Sequence, residues 1–296
     1  MQITGSALRA LYTGFNTHFQ AAFDAAPASF GQVTMVVPSN TKQETYGWMG
    51  KSTQFREWVG ERVLQNLETH DYSIKNKSFE NTIVVSRDDI EDDSLGVYAP
   101  LFSQLGMDAK NHPDELVFTL CKNGFTQTCF DGQYFFDTDH PVKDATGAVT
   151  SVSNYGGGIG TPWYVFDTSR AIKPFILQKR SDYKFVSLTN ETDANVFLRK
   201  EYLYGVDARL NVGYGLWQLA YASKQTLDET NFAAALSAMR STKNDMGKPM
   251  SINPTLLVVP PTLEYTARKL LNAEIISNNS NVLQGATQLL VTPWVS

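Results

Sequence analysis

Chemistry-bearing side chains are scarce in this chain of 296 residues: there are two cysteines and four histidines, and charged residues make up only 19%. Cys121 and Cys129 are too far apart for a C-x-x-C pair and too few for a disulfide framework, which leaves them as reduced core thiols. The histidines, at 18, 70, 112 and 140, fall in no His-Glu-x-x-His or comparable ligand spacing, so a zinc hydrolase is not indicated. There is no Gly-x-Ser-x-Gly elbow, and the glycine run at 156–160 lacks the Gly-Lys-Ser/Thr ending that holds a nucleotide phosphate. No apolar stretch approaches the roughly 18 residues of a membrane span, and no charged segment followed by an apolar run opens the chain. Folding in the cytoplasm is therefore the expectation. An excess of positive charge is missing too: the net charge of -5 gives no electrostatic reason to condense on nucleic acid.

What the chain does have is apolar surface. Hydrophobic residues make up 42% and aromatics 12%, a globular composition poor in charge, as expected when many surfaces end against neighbours. Residues 6–23 place Leu8, Leu11, Phe15, Phe19 and Phe23 at steps of three and four, one apolar stripe on a helix that ends near Pro27 and Gly31. A lone helix cannot cover such a stripe, so Leu11, Phe15 and Phe19 are predicted to meet a partner surface. From Met35 to Thr82 aromatic and polar residues mix, with Trp48 and Trp58 prominent, which reads as an extended excursion around a short helix at 54–68.

The β-branched run Thr82–Val85 precedes Ser86, which can cap the acidic segment Asp88, Asp89, Glu91, Asp92 and Asp93; carboxylates there suit the positive end of a helix dipole. Pro100, Gly106 and Pro113 predict a helix broken or kinked at those points, its last part opening at Pro113 and stopping at Gly124. Residues 144–161, with the run Tyr155 to Gly160, read as a flexible loop between two halves. Strands are predicted at 163–166, 175–177, 185–188 and 216–221. After Thr226 and Glu229, a candidate capping box, come a helix facing inward with Phe232, Ala235, Leu236 and Met239, a strand at 256–259, a helix with Leu263, Ala267, Leu270 and Leu271, and a strand at 289–291.

The best metal-like cluster is Asp131, Asp137, Asp139 and His140, yet carboxylates and glycine are also what ordinary turns use, and the turn reading is preferred. The carboxylates of 88–93 read as a solvated first turn rather than a catalytic pair. Lys173, Lys179, Arg180 and Lys184 lie between aromatics like a small nucleic-acid strip, but on a net-negative chain they read as a solvated face or as links to a neighbour. No catalytic, cofactor or metal residue is assigned.

An ordered series of short matches changes the weighting. It comprises Met35-Val-Val, Thr45-Tyr-Gly-Trp48, Glu57-Trp-Val-Gly60, Tyr72 to Lys77, Ser86 to Asp93, Gly96 to Pro100, Pro113-Asp-Glu-Leu116, Gly124 to Gln127, Asp131-Gly-Gln133, Phe135-Phe-Asp137, His140-Pro-Val142, Ser169 to Ile176, Gly213 to Trp217 and Val258-Val-Pro260. Over nearly its whole length the chain resembles the major head subunits of Mu-like tailed phages. That resemblance implies an α+β capsid fold of the Hong Kong 97 type: an N-terminal arm (1–35), an extended loop (36–80), a peripheral domain (81–225) with a spine helix at about 86–124, and an axial domain (226–296). It further implies a non-enzymatic subunit that assembles through pentamers and hexamers into an icosahedral head, with a separate scaffold protein, maturation protease and portal as partners. Such a subunit would touch the enclosed double-stranded DNA only weakly and no membrane. Leu11, Phe15, Phe19, Trp48 and Trp58 become candidate anchors between subunits, because buried aromatics dominate interface energies. The rival readings are a shell-forming nanocompartment that encloses cargo and a metal-dependent cytoplasmic hydrolase built on the Asp131–His140 cluster.

Overall fold

The apolar stripe near the N-terminus does form a helix, α1 (Gly5–Ala25), opened by Thr4, whose hydroxyl accepts from the Ala7 N–H. In the computed structural model, which describes residues 3–49, 72–92, 95–143, 148–244, 247–276 and 279–296, a short α2 (Phe30–Val33) follows. β1 (Thr34–Pro38), β2 (Gln43–Thr45), β3 (Ser73–Lys75) and β4 (Lys77–Ser86) come next. The helix predicted at 54–68 lies outside the described residues. Ser86 ends β4 and caps α3 (Arg87–Glu91), its hydroxyl accepting from the Asp88 N–H, as the sequence predicts.

Next comes α4 (Tyr98–Lys122), 25 residues long and unbroken, which corrects the expectation of a helix interrupted at Pro100, Gly106 and Pro113. The reasons differ at each point. Pro100 lies in the first turn, where backbone N–H groups have no intrahelical partner to lose. Gly106 is where α1 crosses: a Cβ there would come within 2.2 Å of the Phe19 carbonyl oxygen, so glycine is required by close approach and not by a break. Pro113 does forfeit one helical hydrogen bond, but Phe102, Leu105, Val117 and Phe118 are buried on either side of it and hold the rod together.

The remaining elements are β5 (His140–Lys143), β6 (Val149–Val152), β7 (Tyr155–Gly158), β8 (Trp163–Phe166), β9 (Phe175–Leu188), α5 (Ala194–Arg199), β10 (Glu201–Tyr214), β11 (Ala220–Lys224), α6 (Glu229–Arg240), β12 (Leu256–Val259), α7 (Glu264–Asn272), β13 (Ile275–Ile276), β14 (Asn279–Ser280) and β15 (Gln288–Val291). They build two principal sheets. A four-stranded sheet in the order β1-β9-β10-β4 carries the long β9–β10 hairpin and packs against α1 and α4; a five-stranded sheet in the order β15-β12-β8-β11-β7 packs against α6 and α7. The strands predicted at 175–177 and 185–188 are two ends of the single strand β9, and the run at 155–160, read from sequence as a flexible loop, supplies edge strand β7. The boundary placed at 226 falls inside the five-stranded sheet, since β7, β8 and β11 precede it while β12 and β15 follow. Helix α6 is capped by Asp228, whose carboxylate accepts from the Asn231 N–H, in place of the Thr226–Glu229 box. Its buried face is nonetheless the predicted one: Phe232, Ala235, Leu236 and Met239.

Candidate functional site

The α1 stripe does not wait for a neighbour. Phe15 and Phe19 are 5% and 2% exposed in the single chain. The Phe15 ring stacks on Phe102 of α4 at 4.2 Å and meets Tyr204 of β10 edge-on at 5.1 Å, and Phe19 lies 5.4 Å from Phe185 of β9. Tyr12 adds a hydrogen bond to the Phe185 carbonyl, 3.1 Å. Sequence periodicity reports that a helix face is apolar; it does not say which surface covers it, and here α4 and the sheet of the same subunit do. Removing either ring would cost about 3–5 kcal/mol of subunit stability, so Phe15 and Phe19 are core residues of the fold before they can be anything else. Leu11 is partly buried against the same cluster. Trp48 is 37% exposed beside Tyr46, and Trp58 lies outside the described residues.

Strands β2 and β3 are fastened to the four-stranded sheet by a polar hub that the sequence reading missed. β2 and β3 pair antiparallel, with Glu44 opposite Ile74, and close a neck. Beneath it the fully buried Gln178 of β9 accepts from Tyr46 Oη at 2.9 Å and donates to the Ile74 carbonyl at 3.0 Å and to Asn76 Oδ1 at 2.8 Å. Asn76 in turn donates to Ser39 Oγ and the Thr41 carbonyl, 2.8 and 2.9 Å. Burial pushes the Tyr46 hydroxyl up to about 12, helped by the charge of Glu44, so it stays a donor. The available signal was Gln178 itself, a polar side chain directly after the apolar run Phe175–Leu177.

The Asp131–His140 segment also condenses into a buried network, with a different membership from the one predicted. Cys129 Sγ donates to Asp131 Oδ1 at 3.1 Å, Asp131 Oδ2 lies 2.7 Å from His140 Nδ1, and His140 Nε2 lies 3.2 Å from Asn154 Oδ1. The imidazole stacks on Trp217, centroids 3.9 Å apart and planes 9° from parallel. Asn154 also donates to the carbonyls of Phe135 and Trp217, and its own carbonyl accepts from the Ala222 N–H of β11, which ties this segment to the five-stranded sheet. Burial alone would raise the Asp131 carboxyl, but hydrogen bonding and charge from His140, with hydrogen bonds from Cys129 and the Gln133 N–H, outweigh it and hold the group below its ordinary value. Burial pushes the Cys129 thiol up, so it is no thiolate nucleophile. Cys129, Asp131 and His140 have donor atoms within 4.8 Å of one another, close enough to hold a metal ion. Here the carboxylate bridges thiol and imidazole, one oxygen to each. Asp137 is drawn off to the N–H groups of Tyr134 and Thr138, and Asp139 is exposed. The arrangement is a structural latch.

A third hub explains the Ser169–Ile176 match. Buried Asp167 accepts from Ser169 N–H and Oγ, from Arg170 Nε at 3.1 Å and from the Asn253 N–H at 3.0 Å, while Arg170 Nη2 reaches the carbonyls of Met250 and Ser251. Burial alone would raise its carboxyl, and those hydrogen bonds hold it below the ordinary value instead. The basic residues of the proposed strip are partly used up locally: Lys173 donates to the Thr168 carbonyl and Lys179 pairs with Asp182 at 2.8 Å. In the acidic run, Arg87 pairs with Glu91 at 3.0 Å and Tyr98 donates to Asp89, as suits a solvated helix start. Among the described residues, no helix is long and apolar enough to cross a membrane.

These hubs brace the fold, and comparison with known proteins points to a structural role. The sequence model of the Mu-like prophage major head subunit gpT matches residues 8–295. The major capsid protein of Escherichia phage Mu is 43% identical, covering all of both chains, and the Mu-like prophage FluMu major head subunit of Haemophilus influenzae is 41% identical over 92% of this chain and 91% of its own. Among solved structures, the procapsid of bacteriophage JBD30 superposes with a TM-score of 0.88 at 46% identity, over 99% of this chain and 100% of the other. The JBD30 capsid superposes at 0.78 and 34% identity over the full length of both.

Proposed function

The chain belongs to the Mu-like prophage major head subunit family, and from that premise we propose how its parts divide the work of building a shell. It is a major capsid protein, with the α+β fold of Hong Kong 97-type capsids, and its place is the virion head, where identical subunits assemble into a shell. The observation that carries this reading is full-length agreement in both sequence and structure with a procapsid subunit.

Within that role, the four-stranded sheet with α1 and α4 serves as the peripheral body, α4 being the spine, and the five-stranded sheet with α6 and α7 serves as the axial unit. The neck fastened by Gln178 anchors β2 and β3 to that body. Trp48, beside that neck, and the outward edge of Leu11 are the candidate anchors of the original five that still offer surface to another copy; Trp58 keeps that role by its place in the sequence alone. Copies join head to tail into rings of five and six, and rings close into an icosahedron, each stable contact burying on the order of 1,200–2,000 Å². No step of this requires a catalytic residue. Separate scaffold, maturation protease and portal proteins complete the assembly. Because the chain superposes more closely on the JBD30 procapsid than on the JBD30 capsid, we take this conformation as nearer the precursor state. Minor capsid protein trimers, which decorate the JBD30 capsid, are a partner class for the outer face. A net charge of -5 suits an inner wall that must not hold DNA phosphates tightly.

Expression of the chain with a candidate scaffold protein, followed by negative-stain microscopy, tests the reading. Closed, uniform particles are expected; amorphous aggregate or single subunits would refute it.

A further inference from the structure

We propose that Cys129, Asp131 and His140 form a structural site for one divalent cation of the zinc class, with water completing its coordination. The site stands apart from the head-subunit reading and gives the latch beyond α4 a metal-bound form. All three residues are well covered: Cys129 is 5% exposed, His140 not at all, and the Asp131 side chain 8%. One pinned turn presents two of the donors. The Cys129 N–H donates to the Gln133 carbonyl at 2.8 Å, the Gln133 N–H donates to Asp131 Oδ1 at 3.1 Å, and Gly132 takes φ +87°. His140, the first residue of β5, brings the third donor.

The hydrogen bonds of the imidazole point to a cation. Asn154 Nδ2 donates to two carbonyls while its Oδ1 accepts from the Asp137 N–H at 2.9 Å, so this oxygen can only accept from the ring. His140 Nε2, 3.2 Å away, therefore carries a hydrogen, and Nδ1 faces Asp131 Oδ2 at 2.7 Å. A nitrogen lone pair and a carboxylate oxygen do not stay that close without positive charge between them. In the metal-free chain this charge is a second ring proton. A metal ion supplies the same charge and adds a bond to the third donor, Cys129 Sγ, which lies 3.1 Å from Asp131 Oδ1. Thiolate, imidazole and carboxylate together are a donor set of zinc rather than of magnesium or calcium. The outer partner is in place too: a ligating histidine ordinarily donates its other ring N–H to a fixed oxygen, the part Asn154 Oδ1 plays. Ligand bonds of about 2.0–2.3 Å hold neighbouring donors roughly 3–4 Å apart, so these donors, already within 4.8 Å of one another, need only part slightly between Asp131 and His140. Binding displaces the ring proton and the thiol proton, both released to solvent. The ion then joins the 129–133 turn to β5 and, through Asn154, to β11.

Cobalt(II) is the probe, because it takes zinc's place and is coloured. Added to the full-length chain after dialysis against a chelator, it should give a thiolate-to-cobalt charge-transfer band that saturates at one ion per chain and is bleached by zinc. Saturating zinc should raise the thermal midpoint by about 5 °C. Cys129→Ser should abolish the band and weaken zinc binding by about 100-fold or more. Cys121→Ala, in the apolar core, should keep the band; should Cys129→Ser fail to fold, that retained band assigns the thiolate to Cys129, the chain's other cysteine. No band in the wild-type chain, a band that survives Cys129→Ser, or a band lost in folded Cys121→Ala would overturn the site. The latch would then be held by protons alone, and the head-subunit reading would be untouched.

Discussion

Gly106 and Gly14 show how differently two helical glycines can be used. Nothing lies within 4 Å of a Cβ built on Gly14, whereas one on Gly106 strikes the backbone of α1. Gly106→Ala should therefore lower the unfolding free energy by about 1–3 kcal/mol through overpacking, while Gly14→Ala should raise it by about 0.5–1 kcal/mol through helix propensity. Chemical denaturation of the two variants checks both signs. Asp131 makes a prediction in pH. Its folded-state carboxyl sits below the ordinary value, so it favours the folded state once the group is ionised, above about pH 4, and this contribution disappears as pH falls through the lowered value. Compared with Asp131→Asn, the wild-type chain should be more stable by about 1–3 kcal/mol near pH 6, with the gap narrowing toward pH 2. A gap independent of pH would mean that the latch is not held by the ionised form.

Among the elements, what sequence could reveal was decided by how local the cause was. Helices α1, α6 and α7 followed from periodicity, because the residues that face the core are set by the chain's own repeat, and strands β8, β12 and β15 followed from short apolar runs. The continuity of α4 did not, because Gly106 and Pro113 are tolerated through contacts with residues far away in sequence, Phe19 among them. Strand β7 was hidden for a similar reason: glycines that read as a linker are needed for close approach to β11. Of the candidate anchors, the helix face was legible and its partner was not, since an apolar stripe carries no record of whether the same chain or another covers it. The junction of α2 with α4 gives a test at this scale. Asp114 accepts from the N–H groups of Ser29 and Phe30, at 2.9 and 2.6 Å, and so serves as a cap borrowed from another helix. Asp114→Ala should cost about 0.5–2 kcal/mol, typical of a lost N-cap, and should accelerate hydrogen exchange at residues 29–33 more than in the middle of α4.

For the whole molecule, buried polar hubs and a continuous spine make one stiff body, and function resides in what this body presents outward. A head shell is then the sum of many modest contacts, individually reversible, so that misplaced subunits can leave during growth. The measurement that bears most directly on this is sedimentation velocity of the 33.0 kDa chain, alone and mixed with a candidate scaffold protein, across a range of concentrations. The account predicts a cooperative passage from small oligomers to one fast, narrow boundary of closed shells once scaffold is present. A single slow boundary of monomer persisting at high concentration with scaffold would contradict it.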